Sequence, residues 1–219
     1  MSKIQPWVFD HDGTLVDSFQ AIVEATNETL LASGFEPVSA EIIKQNMIRA
    51  TLPRFAFHTH LELHEPIVRQ MGQEFYTRLH KVALKLTRVY EGWREVLDTL
   101  TQRHHPLAVL SNNEGRLIRR ILTEHQVIHY FPLILGEEDI SAVKPSPESL
   151  LAMARFWNVA PKNITMVGDS ASDFNAARAA GCRAIGVCWG AHSRKELEPM
   201  GWDYLVDDPR ELLELKGIT

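Results

Sequence analysis

Two carboxylates close a short apolar run near the start of the chain, in Trp7-Val8-Phe9-Asp10-His11-Asp12-Gly13-Thr14. An apolar run of this length, bounded by a turn signal, reads as a buried strand ending at Asp10. Taken alone, Asp12-Gly13 is also a common hairpin-turn signal. Later stretches decide between the two. Pro106-Leu107-Ala108-Val109-Leu110 runs into Ser111-Asn112, and Ile164-Thr165-Met166-Val167-Gly168 runs into Asp169, with Asp173 four residues on. Lys144 lies in a loop just before Pro145. In an open parallel sheet ligands bind beyond the carboxyl ends of the strands, so these residues are expected to share one edge. Carboxylates gathered in one place repel one another and shift their pKa values unless a cation neutralises them. A hard cation with oxygen ligands that keeps several waters suits Mg2+. A lysine, a serine, an amide and backbone N–H groups suit the oxygens of a phosphoryl group. The set describes phosphoryl transfer with Mg2+.

The elements that must position these residues are read from periodicity. Phe19, Ile22, Val23, Thr26, Leu30 and Leu31 recur at helical spacing, with Asp17 or Ser18 as N-cap and Gly34 closing the helix. Ser39 caps a second helix running to about Arg49, and Pro53 interrupts the stretch after it. A third helical stretch, from about Glu65 to Tyr90, carries Ile67, Val68, Met71, Phe75, Leu79, Val82 and Leu86 on one stripe. No strand is expected between Phe19 and Tyr90. Residues 18–90 therefore read as a helical domain inserted into a core of residues 1–17 and 91–219. From Trp93 onward helices and apolar runs alternate, including Phe131 to Leu135 and Arg183 to Cys188. This spacing predicts an α/β fold, a doubly wound parallel sheet core with an inserted α-helical cap domain.

Composition narrows the partners. The chain has 219 residues, a net charge of -5 and 45% hydrophobic residues, which suits a large domain or a core carrying an insertion. A mildly acidic balance gives no electrostatic footprint for nucleic acid or an anionic membrane. No stretch approaches the ~20 apolar residues of a membrane span, and the N-terminus lacks the apolar region of a signal peptide. Cys182 and Cys188 read as reduced thiols, and the expected location is the cytoplasm. The expected partner is a small phosphorylated metabolite, without nucleic acid or membrane. Monomer and dimer stay open.

In their order along the chain, four motifs resemble the haloacid dehalogenase superfamily, in the branch with a helical cap inserted after the first strand. They are Asp10-His11-Asp12-Gly13-Thr14, Ser111-Asn112, Lys144-Pro145, and Gly168-Asp169-Ser170 with Asp173. The stretches from Gly168 to Gly181 and from Ile185 to Gly190 are similar to phosphoglycolate-phosphatase-like members. The resemblance implies a Rossmann-like core and an Mg2+-dependent phosphatase acting on a small phosphomonoester. It makes Asp10 the nucleophile that forms an aspartyl-phosphate, and Asp12 the acid and base. It implies Mg2+ on an Asp10 oxygen, the Asp12 backbone carbonyl and Asp169, with Asp173 outside them or linked by water. Asp173 is equally well read as a helix N-terminal carboxylate favoured by the dipole. Ser111, the Asn112 backbone and Lys144 would bind the phosphoryl oxygens.

Outside the motifs the readings divide. Arg49 and Arg54 flank Pro53 in the loop after the second cap helix; Arg49 either reaches an anionic group of the substrate or is a surface arginine. His58, His60 and His64 invite a metal reading, but without a cysteine or fixed carboxylate a solvated cap surface is preferred. His11 stands where the family usually has an apolar residue, and either contacts substrate or is tucked beneath the lid. A sugar phosphomutase and a pyrophosphatase are the alternatives within the superfamily. A non-enzymatic binding module is disfavoured, because no charged member of the set is missing.

Overall fold

The computed structural model describes residues 5–47 and 49–215. The chain forms two compact units, one taking the chain up to Asp17 and again from Val89, the other Ser18–Arg88.

The first unit begins with β1 (Trp7–Phe9), whose three residues are fully buried. A strand covered on both faces needs this unbroken apolar run. Two short strands, β2 (Val16–Asp17) and β3 (Arg88–Val89), form a separate two-stranded sheet where the chain passes between units.

The second unit holds α1 (Phe19–Ala32), α2 (Ala40–Asn46), α3 (Thr51–Thr59) and α4 (Pro66–Leu86). The long α4 buries Val68, Met71, Phe75, Leu79 and Ala83, a stripe at helical spacing, and packs against α1 and α3. Several expectations change here. The second helix stops at Asn46 rather than near Arg49. Pro53 does not interrupt a helix; it lies in the first turn of α3, where the missing N–H has no intrahelical acceptor to lose. Arg54 is thus helical and buried, not in a loop. His58 lies in α3, His60 ends it in the left-handed conformation and His64 comes later, in a turn, so the three histidines of the metal reading do not sit on one helix. The third helix ends at Leu86 and a strand occupies residues 88–89, so the unit closes at Arg88 rather than at residue 90. Two residues are too few to show a period.

The first unit resumes with α5 (Trp93–Gln102), β4 (Leu107–Leu110), α6 (Gly115–Glu124), β5 (Leu133–Leu135) and α7 (Glu148–Phe156). It ends with β6 (Thr165–Gly168), α8 (Ala171–Ala180), β7 (Arg183–Val187), α9 (Arg194–Leu197) and β8 (Tyr204–Val206). The six parallel strands lie in the order β5-β4-β1-β6-β7-β8. Counted within this sheet that is 3-2-1-4-5-6, the doubly wound order, with its switch point between β1 and β6.

Alternation along β1 divides the core. Val8 joins Leu150 and Met153 of α7 and Ala176, Ala177 and Ala180 of α8. Phe9 meets Trp93 edge-on at 5.3 Å and Phe131 at 6.0 Å. Each such buried aromatic or aliphatic side chain contributes roughly 1.5–3 kcal/mol. The sheet edge that carries the polar residues is therefore held from both sides.

Candidate active site

Asp10 is the first residue beyond β1, Ser111 the first beyond β4 and Asp169 the first beyond β6. Strand pairing continues into them: Asp10 N donates to Val167 O at 2.9 Å and Ser111 N to Leu135 O at 3.0 Å. Asp10 and Asp169 so flank the switch point.

Lys144 ties the group together. Its Nζ donates to Asp10 Oδ1 at 2.7 Å and to Asp173 Oδ1 at 2.6 Å. Asp173 sits in the first turn of α8 and its Oδ2 accepts from Ser170 N at 3.1 Å and Ser170 Oγ at 2.6 Å. It thus caps the helix and holds the lysine at once. One carboxylate oxygen of each of Asp10, Asp169 and Asp173 lies within 4.8 Å of the others, the only potential metal-ligand group this close among the described residues. All three are buried.

The electrostatics reflect that crowding. Burial lifts the Asp10 carboxyl from its ordinary value to about 7; Lys144 opposes this and Asp173 and Asp12 add to it. Burial also raises Asp169 well above the carboxylate range, reinforced by Asp10 and Asp173. Burial works against the charge on Lys144, but the two carboxylates outweigh it and raise its pKa. Three buried carboxylates with one lysine are short of positive charge, and their all-oxygen donor set fits a divalent cation. Asp173 has both oxygens engaged already, which leaves Asp10 and Asp169 as the pair to face an ion.

Backbone features hold Asp169 in place. Ala191 N donates to its Oδ2 at 2.6 Å. Gly13 has φ +77, and a Cβ there would stand 2.1 Å from Asp169 Oδ2. Gly168 likewise clears room for Asp173, because a Cβ would lie 2.3 Å from its Cγ.

The phosphate-side residues are latched together. Ser111, 2% exposed, accepts from Asn113 N at 3.1 Å. The Asn112 side chain exchanges two 2.8 Å hydrogen bonds with the Lys144 backbone. Its amide therefore fixes the lysine loop, whose Lys144–Pro145 peptide is cis. The Asp12 carboxylate lies outside the three-carboxylate group. Asn113 Nδ2 donates to Asp12 Oδ2 at 2.9 Å. His11 is wholly buried, its Nδ1 3.2 Å from Asp12 Oδ1 but misaligned for a hydrogen bond.

The helical unit has its own basic cluster. The Arg49 guanidinium lies over the Phe57 ring at 4.8 Å and its Nε donates to Asn46 Oδ1 at 3.0 Å. Arg54 lies over Phe75 at 4.8 Å. His58 has both ring nitrogens buried without a hydrogen-bond partner, and burial, then Arg54 and Arg49, lowers its pKa to about 4. His60 and His64 are exposed.

The sequence pattern described as haloacid dehalogenase-like hydrolase matches residues 7–187. The chain belongs to this family. Among haloacid dehalogenase-like hydrolases it is 32% identical over 219 residues to a phosphoglycolate phosphatase of Chromobacterium violaceum, covering 98% of this chain and 97% of that one. A phosphoglycolate phosphatase of Haemophilus influenzae is 28% identical over 214 residues, covering 94% of this chain and 96% of the other. A crystal structure from Haemophilus somnus 129pt, a phosphoglycolate phosphatase by prediction, superposes with a TM-score of 0.87 at 25% identity, over 98% of both chains. The chain is a hydrolase of this family, whose matched relatives are phosphatases. None of its helices is long and apolar enough to cross a membrane, among the described residues.

Three features of this hydrolase were not legible beforehand. Asn113 is one. The Ala191 N–H on Asp169 is another. The third is the Thr14 carbonyl, which accepts from Trp93 Nε1 at 2.8 Å and Trp189 Nε1 at 3.1 Å. Trp189 stood within a family-like stretch, but only the fold brings it to a carbonyl 175 positions away.

Proposed function

We propose that this chain is an Mg2+-dependent phosphatase that hydrolyses a small phosphomonoester, phosphoglycolate or a close analogue, through an aspartyl-phosphate on Asp10. The observation that carries the reading is Asp10 itself: a buried carboxylate at the switch point, held 2.7 Å from Lys144, with Asp12 two residues on. The phosphoglycolate phosphatases among its relatives, matched over nearly the whole chain, supply the substrate class.

In this reading Asp10 attacks phosphorus and Asp12 protonates the leaving oxygen. Asp12 then takes a proton from the water that releases phosphate. Lys144 and Ser111 neutralise and orient the phosphoryl oxygens. Asp10, Asp169 and the Asp12 carbonyl would hold Mg2+, which when bound would supply positive charge to the transferring phosphoryl group. Arg49 serves the anionic part of the substrate. The reading includes a cytoplasmic location, in keeping with the two unpaired thiols, Cys182 and Cys188.

The test is phosphate release with Mg2+ from a panel of phosphoglycolate, sugar phosphates, nucleotides and pyrophosphate. Phosphoglycolate is expected to give the highest kcat/KM, and Asp10→Asn to abolish turnover. Folded protein that releases phosphate from none of them overturns the reading; isomerised sugar phosphate instead of free phosphate replaces it with a mutase. Arg49→Ala is expected to raise KM for phosphoglycolate and to leave p-nitrophenyl phosphate unaffected.

A further inference from the structure

Asn113 lies beyond the Ser111-Asn112 motif, yet it is fixed at four atoms. Its Oδ1 accepts from Glu114 N at 2.8 Å, and its backbone N donates to Ser111 Oγ at 3.1 Å. Its carbonyl accepts from Glu137 N at 2.9 Å. Its Nδ2 donates to Asp12 Oδ2 at 2.9 Å, across 101 positions of sequence. The Glu114 contact settles which end of the amide faces Asp12, because a backbone N–H needs the oxygen. The loop behind is closely fitted too: a Cβ on Gly136 would stand 2.7 Å from Asn113 O and 2.1 Å from Gly115 N. At the other oxygen of Asp12, His11 Nδ1 stands 3.2 Å away without the alignment of a hydrogen bond. Asn113 thus gives the Asp12 carboxylate a well-aligned donor, and the adjacent histidine does not.

We propose that Asn113 is a positioning residue for the proton-transferring carboxylate: its amide sets the rotation of the Asp12 carboxyl group. This rests on the phosphatase reading above. In the first step an Asp10 oxygen bonds to phosphorus, the bond from phosphorus to the leaving oxygen breaks, and that oxygen takes the Asp12 proton. In the second, water oxygen bonds to phosphorus, its proton passes to Asp12, and the bond to Asp10 breaks. Both steps need the Asp12 carboxyl at one angle, and a donated hydrogen bond narrows the broad range through which a carboxyl group otherwise turns. Asn113 touches neither reacting atom in this scheme. Its effect is confined to steps in which a proton moves.

The leaving group separates this from a merely structural role. An alkyl leaving oxygen needs its proton as the bond breaks, and a p-nitrophenyl leaving oxygen does not. The experiment tracks aspartyl-phosphate formation by rapid quench in a single turnover, with Mg2+, from 2-phosphoglycolate and from p-nitrophenyl phosphate. Asn113→Ala and Asn113→Asp are compared with the unaltered protein. Asn113→Asp keeps the shape and the acceptor for Glu114 N, so it covers a failure of Asn113→Ala to fold. Positioning predicts formation slowed about tenfold or more with phosphoglycolate and by less than about twofold with p-nitrophenyl phosphate, within the range general acid catalysis contributes. KM for phosphoglycolate is expected to stay within about twofold, since the amide adds no substrate binding. Equal slowing with both substrates, or none with either, overturns the proposal. An unaltered protein that forms no aspartyl-phosphate from either substrate instead overturns the phosphatase reading, and this inference with it.

Discussion

Lys144 Nζ sits 2.7 Å from Asp10 Oδ1 although the two residues are 134 positions apart, and the same nitrogen lies 2.6 Å from Asp173 Oδ1. One ammonium therefore bridges the end of β1 and the first turn of α8. A buried charge is tolerated only where partners replace the water it has lost, and here each partner depends on the others.

Replacing Lys144 with Met removes the cation and leaves the carboxylates facing one another. Breaking a buried pair by deleting one partner costs about 3–5 kcal/mol. Lys144→Met is expected to lower the urea midpoint accordingly, and to reduce kcat by about a hundredfold or more through loss of charge stabilisation. Lys144→Arg is not expected to restore activity, because the planar guanidinium is wider than the ammonium that fits between two carboxylates. A Lys144→Met protein with unchanged stability in metal-free buffer would show that the contact carries no energy.

The raised carboxylates are expected to make the binding of a divalent cation such as Mg2+ pH-dependent. The Asp10 carboxyl titrates at about 7 without metal, above its ordinary 3.8. A group whose folded pKa is raised contributes stability below its unfolded pKa and loses it as pH rises through the folded value. Asp10's own contribution to the stability of the metal-free protein therefore falls as pH rises from about 4 to about 7. Metal competes with the same proton, so its affinity climbs across this window and levels off above it. Thermal melts with and without Mg2+ are expected to differ little near pH 5 and most near pH 8. Asp10→Asn should flatten that trend. A gain that falls as pH rises contradicts the assignment.

Gly13 offers a cleaner structural lesion. Its φ is +77, and an added Cβ would meet Asp169 Oδ2 at 2.1 Å. Gly13→Ala is expected to cost about 1–3 kcal/mol in backbone strain. It should also displace the Asp169 carboxylate and weaken Mg2+ binding by about tenfold or more, as losses of ligand support do. Isothermal titration reads the second effect independently of the first. Unchanged Mg2+ affinity would mean that Asp169 is not positioned through this close approach.

What was legible in the sequence tracks what is local. The central strands β1, β4 and β6 are apolar runs because both faces of the sheet are covered, and their ends announce Asp10, Ser111 and Asp169. The edge strand β8 left no such signal: it is three residues long, Tyr204 is exposed, and Asp203 and Asp207 flank it. Helix α3 was obscured by Pro53, a helix breaker in the interior but harmless in a first turn. At the site, Asn112 and Asn113 are identical in type and adjacent. Only the fold shows that the first secures the Lys144 loop and the second reaches Asp12. The double duty of Asp173, as helix cap and lysine partner, likewise needed Lys144 brought back across 29 positions.

His58 gives the helical unit its own pH response. Both ring nitrogens are buried without a hydrogen-bond partner, and burial, then the charges of Arg54 and Arg49, holds its pKa near 4 instead of the usual 6.5. In the unfolded chain the imidazole takes up a proton as pH falls below 6.5, while in the folded protein it stays neutral until about 4. The unfolded state then binds more protons at this site, so the contribution of His58 to stability declines with falling pH throughout that window. Above it the histidine is neutral in both states and contributes no pH dependence. His58→Gln removes this proton uptake. The urea midpoint of the variant relative to the unaltered protein is therefore expected to rise steadily as pH drops from 6.5 towards 4, and to be constant at higher pH. The opposite trend, with His58 strengthening the fold in acid, would require a carboxylate partner for the imidazolium, where its charged neighbours are instead two arginines.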